Sequence, residues 1–263
     1  MSEKRVAIVT GGTRGMGKSI SLELAGRGNR VLAVYHSNEE AAQQTLKELL
    51  EIEPECGIVR ADVSVQEGVD KVFSVLKEKF DRLDILVNNA GIFTYSFLED
   101  MTEEYLMNIM RINFFSDFLM TKAAVPFMKK NHYGRICNAS SISSWFADCG
   151  LIGYGCSKGS VDMLTKISSA ELAPYGILVN AYAPGITHTD MTHALITERG
   201  DSLAEQISLN RYSTGDEVAK LVGFLTSEDN TYVTGDIIGV DGGMLKVQNP
   251  HSAYEYVRGK GEI

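Results

Sequence analysis

The chain has 263 residues, 44% hydrophobic and 22% charged, which is ample for one sizeable core. A formal net charge of −9 argues against a nucleic-acid surface, which needs clustered Lys and Arg. No apolar run approaches the roughly 20 residues that cross a bilayer, and the polar residues 1–5 lead straight into an apolar run, so a soluble cytoplasmic protein without a membrane partner is expected.

Cys56, Cys137, Cys149 and Cys156 form no CxxC pair, and the five histidines show no metal-ligand spacing. Reduced thiols and no metal site follow. In chain order, the first strand is predicted over 6–9, and Thr10-Gly11-Gly12-Thr13-Arg14-Gly15-Met16-Gly17 comes directly after it, opening a helix over 17–28. Glycines let backbone approach a pyrophosphate, and a helix N-terminus offers free N–H groups and partial positive charge. The run from Gly12 to Ser19 also satisfies the Gly-x-x-x-x-Gly-Lys-Ser string of a P-loop. A P-loop enzyme needs, in addition, an acid closing a later strand to hold magnesium. Asp84 precedes its strand and Asp62 follows a weak one, so the dinucleotide reading leads.

The second strand, 31–34, runs on into Tyr35-His36-Ser37-Asn38, without the acid that bonds an NAD ribose. With Arg14 in the turn and His36 and Ser37 nearby, NADP(H) is favoured over NAD(H). Helices are expected over 39–53, 65–79, 103–130, 154–174 and 216–226, and further strands over 85–87, 135–138 and 178–181. Near-continuous apolar strands alternating with amphipathic helices predict a single-domain doubly wound parallel sheet, a Rossmann fold, with helices on both faces. The irregular stretch 186–211 reads as a substrate lid, and 244–263 as a C-terminal surface extension.

Tyr154 and Lys158 stand four apart on one helix face, where the lysine cation favours the phenolate of a tyrosine that otherwise titrates near about 10. Ser140, Ser141, Ser143 and Ser144 follow the 135–138 strand as candidates to orient a substrate oxygen. Phe93, Tyr95, Trp145, Phe146 and Cys149, with the lid, are expected to form a fairly apolar pocket.

The turn spacing Gly-x-x-x-Gly-x-Gly, Asn88-Asn89-Ala90-Gly91, Tyr154-x-x-x-Lys158 and Val240-Asp241-Gly242-Gly243, in that order, resemble the short-chain dehydrogenase/reductase family from about residue 6 to 243. The resemblance implies hydride transfer between NADP(H) and a ketone or secondary alcohol, with Asn113, Ser141, Tyr154 and Lys158 as the catalytic set. It picks Ser141 among the serines and gives Asn113 a water beside the lysine. It implies cofactor contacts from Gly11, Thr13, Arg14, Gly15, Met16, Gly17, His36, Ser37, Asp62, Val63, Asn89, Ala90, Gly91, Tyr154, Lys158, Pro184, Gly185, Thr187 and Thr189, with Asp62-Val63 at the adenine and Thr187 and Thr189 near the nicotinamide. A homo-oligomer, tetramer or dimer, with the 103–130 and 154–174 helices at subunit contacts, is the usual assembly.

Phe93-Thr94-Tyr95-Ser96 replaces the Thr-Arg-Asp of 3-oxoacyl carrier-protein reductases, and Ala173-Pro174-Tyr175-Gly176 lacks their basic residue. These departures argue against fatty-acid elongation. The substrate range left is a fairly apolar small molecule: 3-oxoacyl, sterol-like, polyketide-like, sugar or simple alcohol. A non-catalytic NADP(H) sensor and a P-loop protein are the alternatives from other classes.

Overall fold

A computed structural model describes residues 4–261. The strands are β1 (Val6–Thr10), β2 (Arg30–Tyr35), β3 (Gly57–Arg60), β4 (Ile85–Asn88), β5 (Gly134–Ala139), β6 (Ile177–Pro184) and β7 (Ile237–Val240). All pair in parallel, in the order β3-β2-β1-β4-β5-β6-β7. The chain therefore winds outward from β1 in one direction and from β4 in the other, as the strand–helix alternation predicts, and a crevice opens at the carboxyl ends where β1 and β4 lie side by side.

Helices α1 (Gly15–Gly26), α2 (Glu39–Ile52), α3 (Gln66–Lys79), α4 (Glu103–Met110), α5 (Ser116–Asn131), α6 (Ile152–Leu172), α7 (His193–Ala204), α8 (Gly215–Leu225) and α9 (Ser252–Gly259) connect and cover the strands. Period-2 geometry divides the fully buried β1 between two cores. Val6 and Ile8 pack with Val72 and Leu76 of α3 and Met120 and Ala124 of α5. Ala7 and Val9 pack with Ile20 and Leu24 of α1 and Val218 and Val222 of α8. Burial on both faces explains why these strands read as unbroken apolar runs.

One expectation changes, and two gain detail. The 103–130 helix is interrupted by a π-turn, Arg111–Phe115, centred on Asn113. The extra residue in that turn lets the Asn113 amide reach sideways to main chain instead of lying along a regular helix. The 186–211 stretch contains α7, whose helical backbone breaks at Gly200 (φ 35°, ψ −122°). The tail carries α9, and the Tyr254 hydroxyl donates to the Ser208 carbonyl at 2.9 Å; residues 262 and 263 of the expected extension lie outside the described residues. Among the described residues no helix is long and apolar enough to cross a membrane, and no group of His, Cys, Asp and Glu is placed to hold a metal ion. All four cysteines are free, Cys56 and Cys137 buried, Cys149 and Cys156 exposed.

Candidate active site

The glycine turn sits at the mouth of the β1/β4 crevice. A Cβ on Gly17 would stand 2.1 Å from the Gly11 carbonyl oxygen and 2.6 Å from Asn89 Nδ2, so that position admits no side chain. Gly11 has φ +61°, in the left-handed region that favours glycine. Arg14 precedes α1 without making a side-chain cap, which leaves the first-turn N–H groups of the helix available to an anion. An open helix end behind a glycine-rich turn fits the pyrophosphate of a dinucleotide. It fits a P-loop poorly: Lys18 Nζ is turned to Glu48 Oε1 of α2, at 2.8 Å. Thr13 is buried, and its carbonyl accepts from Thr45 Oγ1 at 2.8 Å, pinning α2 to the turn.

Asn89 braces the cradle from beneath. Its Nδ2 donates to the Thr10 carbonyl at 3.0 Å, and its Oδ1 accepts from the fully buried Tyr182 hydroxyl at 2.9 Å. Thr10 Oγ1 in turn accepts from the N–H groups of Asn89 (2.9 Å) and Ala90 (3.0 Å). Asn88 works on the other side: its Nδ2 donates to Asn138 Oδ1 of β5 at 2.8 Å and to Thr121 Oγ1 of α5 at 3.1 Å. Sequence reasoning missed Tyr182, which carries no local motif, and the bracing role of Thr10, which opens the glycine turn.

Along the sheet, His36 and Ser37 are exposed just past β2, and Arg60 Nε donates to the His36 carbonyl at 3.1 Å. The nearby acid Glu39 is engaged by the Tyr35 hydroxyl (2.7 Å) and Gln43 Nε2 (2.9 Å). Asp62 past β3 accepts from the N–H (3.0 Å) and hydroxyl (2.7 Å) of Ser64, while Val63 turns into the core with Val69 and Val72. Gly11, Gly15, Arg14, His36, Ser37, Asp62 and Ala90 thus line up along the carboxyl ends of β1 to β4.

A cavity of about 430 Å³ continues from this crevice toward α7. Its wall includes Met16, Asn89 and Gly91 on the nucleotide side, Pro184, Gly185, Thr187 and Thr189 beyond β6, and Ser141, Tyr154 and Lys158 between them. A Cβ on Gly15 would come within 3.5 Å of Thr189 Cγ2, so the glycine turn and the post-β6 segment meet over the crevice. Thr187 Oγ1 is 2.7 Å from Ser213 Oγ, and Thr189 Oγ1 is 3.1 Å from Thr192 Oγ1. Phe93, Tyr95 and Phe146 form the apolar wall with Leu195 and Leu203 of α7. Trp145 and Cys149, expected in this wall, lie outside it: Lys246 Nζ sits 5.2 Å from the Trp145 ring, and Cys149 faces solvent. Each flanks a lining residue, Phe146 or Asp148, but is itself exposed at the surface.

One turn of α6 brings Tyr154 and Lys158 to the same face. Lys158 is buried, its Nζ donating to the Ala139 carbonyl at 2.7 Å and lying 5.8 Å from the Tyr154 ring centroid. The ring is held edge-on by Phe93, with centroids 4.9 Å apart. Asn113 locks the neighbouring backbone: its Oδ1 accepts from the Ile92 N–H at 2.8 Å and its Nδ2 donates to the Ile92 carbonyl at 2.9 Å and to Ser157 Oγ at 3.1 Å. A Cβ on Gly91 would meet Asn113 Oδ1 at 3.2 Å and Lys158 Nζ at 3.6 Å, so both side chains converge on that main chain.

Partners set aside two of the four serines, while Ser143 borders the cavity beside Ser141. The Ser140 hydroxyl is committed to the Asp162 carboxylate, and that of Ser144 donates to the Ser141 carbonyl at 2.8 Å. Ser141 Oγ accepts from the Ser143 N–H at 3.1 Å and keeps its proton to give, while bordering the cavity.

One further group was not singled out from the sequence. Asp117 of α5 is buried, with Oδ2 unpartnered, and burial pushes its carboxyl up to about 8 against the opposing pull of the Lys158 cation and a Ser116 hydrogen bond. The signal was present, because Asp117 shares one helical stripe with Met120, Thr121, Ala124 and Met128, all buried.

The family model for short chain dehydrogenase matches residues 5–200. The chain is similar to the 3-oxoacyl-[acyl-carrier-protein] reductase FabG of Aquifex aeolicus, 37% identical, covering 92% of this chain and 97% of that one. Among solved structures it is similar to a putative gluconate dehydrogenase from Agrobacterium tumefaciens (TM-score 0.89, 33% identity, covering 93% and 97%). It is also similar to YwfH, an NADPH-dependent reductase involved in bacilysin biosynthesis (TM-score 0.88, 26% identity, covering 94% and 100%). The chain belongs to the short-chain dehydrogenase family, oxidoreductases that act on a ketone or the corresponding secondary alcohol.

Proposed function

We propose that this protein is an NADP(H)-dependent ketone reductase in which Tyr154 is the proton donor. The carrying observation is the meeting of Ser141, Tyr154 and Lys158 in one cavity that continues into the nucleotide crevice. A bound nicotinamide would supply the hydride. Ser141 donates a hydrogen bond to the substrate oxygen and stabilises the charge that develops there. The Tyr154 hydroxyl, which borders the cavity, gives that oxygen its proton. Lys158, anchored on Ala139, holds a cation beside the phenol, and Asn113 fixes the main chain of Ile92 facing it.

The crevice residues Gly11, Thr13, Arg14, Gly15, Met16 and Gly17, with Asn89, Ala90 and Gly91, would hold the dinucleotide, and Thr187 and Thr189 its nicotinamide end. Support for the 2′-phosphate form comes from exposed Arg14, His36 and Ser37, from Arg60 at the His36 carbonyl, and from Glu39 being tied to Tyr35 and Gln43. The similar NADPH-dependent YwfH points the same way. The apolar wall of Phe93, Tyr95, Phe146, Leu195 and Leu203 suits an aliphatic or aromatic ketone. Apolar side chains left exposed on α4, α5 and α6 (Met107, Phe118, Met163 and Ile167) suit a homo-oligomer.

A panel of ketones and secondary alcohols followed at the nicotinamide absorbance, with NADPH and NADH, tests the reading. Turnover should favour NADPH and disappear in Tyr154→Phe while NADPH binding persists. Tight NADPH binding with no turnover across the panel would move the sensor reading ahead.

A further inference from the structure

Helix α6 carries a buried acid that the reaction described so far leaves unused. Tyr154, Lys158 and Asp162 recur every four residues and so stack along one face of α6. That face meets the end of β5 in three rungs. Asn138 Nδ2 donates to Thr165 Oγ1 at 2.9 Å, Lys158 Nζ donates to the Ala139 carbonyl at 2.7 Å, and Ser140 Oγ donates to Asp162 Oδ1. All six residues are buried. Three consecutive residues leaving β5 are thereby tied to α6, and the next residue is Ser141.

The Asp162 rung differs from the other two because Ser140 already lies past the strand. Its N–H donates to the Tyr182 carbonyl of β6 at 2.8 Å, so β6 holds its main chain and Asp162 its side chain. The turn that follows folds back on this fixed residue. Ser144 donates to the Ser141 carbonyl from Oγ at 2.8 Å and from N–H at 3.1 Å, and Ser144 Oγ also stands 3.3 Å from Ser140 Oγ. Within the turn, the Ser143 N–H donates to Ser141 Oγ at 3.1 Å and occupies one lone pair of that oxygen.

We propose that Asp162 is a positioning residue for Ser141: by accepting the Ser140 hydroxyl it fixes the 140–144 turn so that the Ser141 hydroxyl faces the substrate oxygen. This role rests on the reading of Ser141 as the donor to that oxygen. The same carboxylate ties the turn to the helix that carries Tyr154, so the two hydroxyls that meet the substrate keep their separation. Without Asp162 the buried Ser140 hydroxyl has lost its acceptor, and the turn shifts to find another.

The test combines turnover with a cycle at Ser141. Asp162→Ala should lower kcat for ketone reduction by about 10–100-fold and leave the NADPH dissociation constant within about twofold. Asp162→Asn, which still offers Ser140 an oxygen, should restore kcat to within about threefold of wild type. In Ser141→Ala, itself slowed about 100-fold or more, adding Asp162→Ala should cost no more than about a further twofold. Wild-type kcat in Asp162→Ala, or its full loss repeated in Ser141→Ala, overturns the proposal. Wild-type turnover in Ser141→Ala alone refutes the reading of Ser141 and the proposal with it. Should Asp162→Ala not fold, Ser140→Ala/Asp162→Ala removes both partners, leaves no buried orphan and carries the same expectations.

A second readout needs no substrate. Trp145 is the chain's one tryptophan, and its N–H donates to the Ile142 carbonyl at 3.0 Å directly after the serines. Its fluorescence in the ligand-free protein therefore reports the turn. Emission should shift in Asp162→Ala and not in Asp162→Asn. Unchanged emission in Asp162→Ala overturns the proposal even if no ketone reacts, whereas a shift without turnover upholds the anchoring of the turn and counts against the proposed function alone.

Discussion

Replacing Tyr182 with Phe removes one hydroxyl from a ring that is fully buried, and leaves the ring's packing in place. The hydroxyl donates to Asn89 Oδ1 at 2.9 Å, and Asn89 Nδ2 steadies the Thr10 and Gly11 carbonyls at 3.0 and 3.4 Å. Losing the donor strands a half-buried acceptor, which costs about 1–2 kcal/mol. For a domain of this size, each kcal/mol moves the thermal midpoint by about 2–4 °C, so Tm should fall by about 2–8 °C. Because the same amide borders the space that a Gly17 Cβ would fill, dinucleotide affinity should weaken as well, by about 3–10-fold. Calorimetric unfolding and isothermal titration with NADPH measure the two effects. An unchanged Tm together with unchanged affinity would refute the argument that Tyr182 holds the cradle through Asn89.

Gly17→Ala places a methyl 2.1 Å from the Gly11 carbonyl and should reduce dinucleotide affinity at least about tenfold by titration calorimetry; wild-type affinity would mean that the turn relaxes freely. Lys18→Ala breaks a part-exposed ion pair with Glu48 and should leave nucleotide binding within about twofold, whereas loss of binding would revive the P-loop reading. Asp117→Asn has a stability signature of its own. The carboxyl ionises near 3.8 when the chain unfolds but holds its proton to about 8 in the fold. The folded state therefore binds the extra proton between those values, and wild-type stability falls with rising pH by about 1.4 kcal/mol per pH unit from this group. The variant should be the more stable by about 4 kcal/mol near pH 7, with the gap closing toward pH 4; parallel denaturation curves across that window would exclude a neutral Asp117.

What the sequence disclosed and what it withheld follow the range of the interactions. The β1 run, the turn from Gly11 to Gly17 and the Tyr154–Lys158 pair are visible because each is written within one strand, one loop or one helical turn. The choice among four serines needed Asp162, which lies 22 residues from Ser140 and takes its hydroxyl out of play. Partners set aside Ser140 and Ser144, and between Ser141 and Ser143, which both border the cavity, only family spacing chooses. Tyr182 is 93 residues from Asn89, and no local pattern connects them. The break of the expected 103–130 helix was hidden because Arg111–Phe115 keeps helical backbone angles at both ends while its bonding changes to suit the Ile92 main chain. The strands β3 and β7 were not predicted: they are no shorter than the fully buried β4, but they stand at the two sheet edges and each carries a glycine that breaks its apolar run.

The bracing of the glycine turn also sets an order of events during synthesis. Thr10 waits 79 residues for Asn89, and Asn89 another 93 for Tyr182. Helix α1 can form as soon as it leaves the ribosome, but the turn ahead of it acquires its support only when β4 has docked beside β1 and β6 beyond β5. A nascent chain that has emerged through the motif alone therefore has the glycines without the amide that shapes them. Dinucleotide binding then becomes a report that most of the sheet is assembled, and the ligand stabilises finished chains in preference to partial ones.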